Sequence, residues 1–214
     1  MSEDIFEGRE VTEEVTLRVL GEAEEALERE CIPHMLMGGL ASSAHGRPRW
    51  THDIDVLVRP ADSGRALQAL GNAGFETQET DPFWLYKGVK DGVLVDVIFR
   101  STGDIYLDDE MLAHARPVDL SGVRVCMVSP EDLIVIKAVV HDEQSPRHWF
   151  DALAMLSRTD LDWEYLLQRA RKAARRVLSL LLYAQSNDVL VPDTVVRRLF
   201  QMVTESEERL REAG

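Results

Sequence analysis

Two short apolar runs, residues 35–37 and 54–58, flank a Gly38-Gly39 pair and an Asp53-Ile54-Asp55 triplet separated by thirteen residues. The second run is rich in β-branched residues and reads as a buried strand. Side chains alternate along a strand, so Asp53 and Asp55 point to one face, about 6.5 Å apart. Two like charges on a buried strand repel each other and resist desolvation. A divalent cation removes that cost, and Mg²⁺ is commonly held by one or two carboxylates together with substrate phosphates. The glycine pair adds a second constraint. A strand that ends in Gly-Gly, with a helix starting at once, leaves backbone N–H groups facing outward. Glycine lets a phosphate come close, and a helix N-terminus attracts negative charge. Phosphate cradle and paired carboxylates therefore belong to one strand-helix-strand unit.

The order is an apolar residue, Gly, Gly or Ser, a gap, then Asp-x-Asp or Asp-x-Glu in a strand. Here it reads Met37-Gly38-Gly39 and Asp53-Ile54-Asp55. It resembles the signature of the nucleotidyltransferase fold superfamily related to DNA polymerase β. The resemblance implies an α/β fold: a small mixed sheet with flanking helices, followed by a helical C-terminal domain. It also implies an enzyme that uses Mg²⁺, with Mn²⁺ as substitute, to transfer a nucleotidyl group from an NTP to a hydroxyl acceptor, releasing pyrophosphate. Asp53 and Asp55 would hold the metal, and Gly38 and Gly39 would position the triphosphate. Many such proteins carry Ser directly after the first glycine; Gly39 stands there instead, so one hydroxyl is missing.

In the run from Gly92 to Phe99, every residue but Asp96 is apolar or glycine. By itself such an aspartate could simply face water at a sheet edge. In the superfamily a strand after the carboxylate pair brings a third carboxylate, so Asp96 is expected to share the metal and take the acceptor's proton. Arg47, Arg49 and Thr51 precede the pair, and Ser42 and Ser43 follow Gly39. Of these, Arg47, Arg49 and Ser42 are candidates for triphosphate contacts.

Ser129-Pro130-Glu131-Asp132 reads as a capped helix start, with proline at the first position and acids in the first turn. Lys137 is the only basic residue on the apolar helix that follows. The Pro-Glu-Asp-Leu run with its lysine is similar to AbiEii-toxin-type nucleotidyltransferases, where the lysine meets the triphosphate. Asp151, in Arg147-His148-Trp149-Phe150-Asp151, is the nearest counterpart of the aspartate that follows there. That likeness implies an RNA acceptor such as tRNA, and a toxin or antitoxin partner. A small-molecule acceptor of the aminoglycoside type is the alternative, and a non-catalytic nucleotide-binding or partner protein is another.

The chain of 214 residues suffices for one compact unit or two small domains, and the pattern divides it at 1–128 and 129–214. Strands are expected at 75–77, 83–87 and 93–99, with an Asp91-Gly92 hairpin turn joining the last two. Helices are expected over 11–31, 104–115, 147–157, 162–186 and 192–211. The formal charge of −14 opposes non-specific nucleic-acid binding and suits a cationic acceptor. Against that, Arg169, Lys172 and Arg176 would share one face of a continuous helix. Residues 1–10 read as a loose acidic start with no signal-peptide pattern. No apolar stretch reaches membrane-spanning length, so no membrane partner is expected. Cys31 and Cys126 show no metal-type spacing and fit reduced thiols in a cytoplasmic protein.

Overall fold

Helix α1 (Glu13–Arg29) opens the computed structural model, which describes residues 11–212 except 47, 50 and 52, with side chains to residue 205. Thr12 caps the helix by accepting the Val15 N–H, and Glu13 and Glu14 complement the N-terminal dipole. The expected acidic start at 1–10 lies outside the described residues. The chain divides into two compact units. One runs to Ala41 and includes Arg49–Ser101 and Tyr106–Val128; the other holds Ser42–Pro48, Thr102–Ile105 and everything from Ser129.

In the first unit, β1 (His34–Met37) runs directly into α2 (Gly38–His45), whose residues from Ser42 on belong to the second unit. Then come β2 (Asp53–Val58), α3 (Ser63–Asn72), β3 (Glu76–Asp81), β4 (Leu85–Lys90) and β5 (Val93–Ile98). A short α4 (Asp109–Ala113) precedes the hairpin of β6 (Arg116–Leu120) and β7 (Val123–Met127). The strands form one mixed sheet in the order β3-β4-β5-β2-β1-β7-β6, giving the α/β class expected. The expected helix over 104–115 shrinks to α4, because its start is the Asp108 cap, which accepts the Met111 N–H.

The sheet's two faces carry different chemistry. Val56 pairs with Val97 and Gly88 with Val95, so these residues share a face with Leu36, the partner of Val56. That face is apolar and packs under α3: a Cβ on Gly88 would meet Leu70 at 3.3 Å. Ile54, Val56, Val95 and Val97 are fully buried there. Asp53, Asp55, Asp96 and Lys87 alternate with them and therefore lie on the opposite face.

A pH-sensitive tie fastens α1 to the start of β1. His34 Nε2 lies 3.0 Å from Glu24 Oε2, and Nδ1 lies 2.7 Å from the Ile32 carbonyl. Both ring nitrogens face acceptors, which only the imidazolium can satisfy. Burial opposes that charge, but the Glu24 bond and charge, with the Ile32 carbonyl, outweigh it and raise the His34 pKa. The stability it contributes is fully present below the unfolded pKa near 6.5 and is lost as pH rises through the raised value. The melting temperature is therefore expected to decline as pH rises above about 6.5. In His34→Gln that part of the decline should vanish from a thermal-melt series.

The second unit is helical: α5 (Pro130–Val140), α6 (Arg147–Arg158), α7 (Trp163–Arg169), α8 (Ala174–Ser186) and α9 (Asp193–Glu212). Ser129 caps α5, accepting the Asp132 N–H at 3.1 Å and donating its hydroxyl to Asp132 Oδ2 at 2.9 Å. Tyr165 Oη and Arg169 Nε each donate to the Asp132 carboxylate at 2.6 Å. Burial still keeps the Asp132 carboxyl above its ordinary range despite these partners. The single helix expected over 162–186 is broken by a 3-10 turn at Ala170–Lys172. Arg169 is drawn inward to Asp132 and Ala173 leaves the helical region at φ −127°, with no Gly or Pro to mark the break. The shared face of Arg169, Lys172 and Arg176 is consequently not formed. No helix among the described residues is long and apolar enough to cross a membrane.

Candidate active site

The turn from β1 into α2 is built around the Asp55 carboxylate. Gly38 sits at φ +66°, where a side chain is strained, and a Cβ there would lie 1.8 Å from Asp55 Oδ2. Only glycine leaves room for this carboxylate. The Gly39 N–H donates to the same oxygen at 3.3 Å, and a Cβ on Gly39 would come within 2.8 Å of Thr51 Oγ1. The sequence suggested that the N–H groups of this turn face outward towards a phosphate; the Gly39 N–H instead faces Asp55. Asp53 stands exposed at the start of β2, while Asp55, two residues on, is half-buried.

Sheet pairing delivers the third carboxylate. β2 and β5 are parallel with Asp55 opposite Asp96, and β4 places Lys87 opposite Asp96 on the other side. Lys87 Nζ is 3.3 Å from Asp96 Oδ1, with the two side chains 30% and 18% exposed. The contact is one of charge: Oδ1 is buried and receives no well-aligned hydrogen bond. Burial raises the Asp96 pKa; Lys87 counters it, and the charges of Asp55 and Asp53 add to the rise. The sequence reading missed Lys87. The signal was available, because a two-residue Asp91-Gly92 turn pairs Lys90 with Val93 and so Lys87 with Asp96.

The remaining candidates are placed as follows. Ser42 is fully buried on α2, and Arg49 is half-buried before β2. Arg47 lies outside the described residues. Lys137 and Asp151 belong to the second unit, where α5 and α6 bring them together in an ion pair at 3.0 Å with side chains 5% and 0% exposed. Beside them, burial and the charges of Lys137 and Arg147 push the His148 pKa down to about 4.

Among the described residues, no three His, Cys, Asp or Glu side chains form a group able to hold a metal ion. A carboxylate pair needs no third protein ligand for Mg²⁺, since phosphate oxygens and water complete its shell. The donors at Asp53 and Asp55 are of the right kind, and the buried Asp96 Oδ1 beside them lacks a hydrogen bond. On donor chemistry the residues fit such an ion.

A family model described as uncharacterised nucleotidyltransferase matches residues 7–200. Similar solved structures include the antibiotic-resistance factor ANT(2'')-Ia in solution, at 16% identity and TM-score 0.54, covering 82% of this chain and 94% of that one. A crystal structure of ANT(2'')-Ia with adenylyl-2''-tobramycin has TM-score 0.50 at 15% identity, covering 80% and 97% of the two chains. An antigenic nucleotidyltransferase-like protein from Paracoccidioides brasiliensis has TM-score 0.50 at 14% identity, covering 86% and 92%. At such identities the likeness speaks for a shared fold. No curated protein matches the sequence.

Proposed function

The chain belongs to the uncharacterised nucleotidyltransferase family, and from that premise we propose a Mg²⁺-dependent transfer of NMP from an NTP to the hydroxyl of a small cationic molecule. The observation that carries this reading is the convergence of Asp53, Asp55 and Asp96 on one sheet face, with the Gly38-Gly39 turn wrapped around Asp55. Asp53 and Asp55 would hold the divalent ion, with Mn²⁺ as a substitute; when bound it neutralises phosphate charge and polarises the phosphoryl group. The acceptor oxygen bonds to the α-phosphorus, the bond to the bridging oxygen breaks, and pyrophosphate leaves. Asp96 takes the hydroxyl proton. Its carboxyl pKa, raised above the usual value by burial, makes it a better proton acceptor than a solvated aspartate. The N-terminus of α2 attracts the triphosphate, with Arg49 as its charged contact.

A small cationic acceptor suits a chain of net charge −14. The fold it shares with ANT(2'')-Ia, which carries adenylyl-2''-tobramycin in one structure, supports the same class. RNA is the second reading, favoured by the exposure of Arg171, Lys172, Arg175 and Arg176, and it would bring with it a toxin-type setting. With Arg169 turned inward, that patch is smaller than the sequence suggested.

Two measurements test the proposal. Labelled NTPs offered with aminoglycoside-type acceptors and with tRNA should label the small molecule; labelled tRNA alone would reverse the choice. Asp96→Asn should cut turnover by about 10²–10⁴-fold while leaving NTP affinity within a small factor, as for a group acting in the transition state. Loss of NTP affinity at unchanged saturated turnover would remove Asp96 from the role of base.

A further inference from the structure

Gly39 is kept bare by Thr51. A Cβ on Gly39 would meet Thr51 Oγ1 at 2.8 Å, Cβ at 3.1 Å and Cγ2 at 3.2 Å, so the threonine fills the space that a side chain at 39 would take. Unlike Gly38, Gly39 is not at positive φ, and its backbone would accept an L side chain; it is Thr51 that stands in the way. Two side chains thus close on this turn, the Asp55 carboxylate at Gly38 and the Thr51 hydroxyl at Gly39. Thr51 is half-buried, and among the described residues its hydroxyl has no hydrogen-bond partner. Ser42, the candidate hydroxyl on α2, is fully buried and so closed to a ligand. Arg49, the charged contact for the triphosphate, lies just before Thr51 and is also half-buried.

We propose that Thr51 supplies the hydroxyl that Gly39 lacks: from the approach to β2 it presents a donor at the first turn of α2, and there it binds the triphosphate of the NTP. Gly39 and Thr51 then act as one device, a glycine that makes room and a threonine that fills the room with a hydroxyl. The hydroxyl donates to an anionic phosphate oxygen, a charge-assisted bond, and adds no charge beside Asp55. This rests on the nucleotide-binding reading of the Gly38-Gly39 turn.

The test is calorimetric titration with ATP, GTP, CTP and UTP in the presence of Mg²⁺, following the tightest of the four, with thermal melts alongside. Thr51→Val keeps the shape and removes the hydroxyl; it should weaken binding by about tenfold or more, the scale of a lost hydrogen bond to a charged group. Thr51→Ser keeps the donor and should retain most of the affinity. Gly39→Ser alone places a Cβ 2.8 Å from Thr51 Oγ1 and should melt below the parent. Combined with Thr51→Gly the clash is gone and the hydroxyl arrives from the other side of the contact. That double variant should recover the melting temperature and bind more tightly than Thr51→Gly alone. Thr51→Val that binds as the parent does, or a folded double variant that binds no better than Thr51→Gly, overturns the inference and leaves the nucleotide-binding reading intact. Should the double variant fail to fold, Thr51→Val against Thr51→Ser decides alone, and equal affinities overturn the inference. A parent that binds none of the four nucleotides overturns both.

Discussion

Asp55→Asn is expected to lower nucleotidyl transfer at saturating Mg²⁺ by at least about a hundredfold, the scale on which removing one preorganised electrostatic group acts. Asn is close in shape to Asp, so it keeps an oxygen beside Gly38 and an acceptor for the Gly39 N–H. The fold therefore survives. The variant loses one of the negative charges that act on Asp96, and its metal-free form should melt at or above the parent temperature. Asp53→Asn should show the same loss of transfer with a smaller change in melting, because Asp53 is exposed and its charge is better solvated. Steady-state turnover and thermal melts of the two variants check this. Near-normal turnover in either would take that residue out of the metal-holding pair.

The second large effect concerns stability. Lys137→Met leaves Asp151, fully buried, without the ammonium 3.0 Å away. Removing one partner of a buried pair costs up to about 3–5 kcal/mol. At roughly 2–4 °C per kcal/mol for chains of this size, the melting temperature should fall by on the order of 10 °C. The double variant Lys137→Met, Asp151→Leu should recover most of the loss, since well-packed apolar groups replace a buried pair at little net cost. Thermal melts of the single and double variants close the comparison. A single variant that melts with the parent would return Lys137 to the role suggested by its helix, a contact for triphosphate.

The sheet core was legible because strand and turn signals there are local. The β-branched run before Arg59, the Gly38-Gly39 turn and the Asp91-Gly92 hairpin each follow from a few adjacent residues, and together they fix which carboxylates share a face. Asp96 was found because a lone carboxylate in an apolar run stands out. Lys87 was missed because a lysine on a half-exposed strand does not stand out. Only pairing gives it meaning. The expected 162–186 helix failed for a related reason: just before its break Arg169 is tied to Asp132, more than thirty residues away. Lys137 and Asp151 were each picked out singly, but nothing in their spacing says that the two side chains end in a mutual buried pair. Long-range polar ties of this sort leave no periodic trace.

Gly38 carries a consequence for how such a protein can decay. Its missing side chain and the Asp55 carboxylate fill the same volume, so any residue larger than glycine at 38 collides with Asp55 before it meets anything else. The collision with the carboxylate ends once position 55 carries a shorter side chain, and only glycine there also removes the Cβ contact at 2.7 Å. The two sites are thus joined by an order of events. A descendant lineage released from selection for transfer can replace Asp55 at little structural cost, and only afterwards does position 38 become open to other residues, within the limits set by its positive φ. Inactive descendants are accordingly expected to keep this glycine after losing the aspartate, and hardly ever the reverse. Ancestral reconstruction, or a pooled mutational scan selected for folding alone, would reveal that direction of travel.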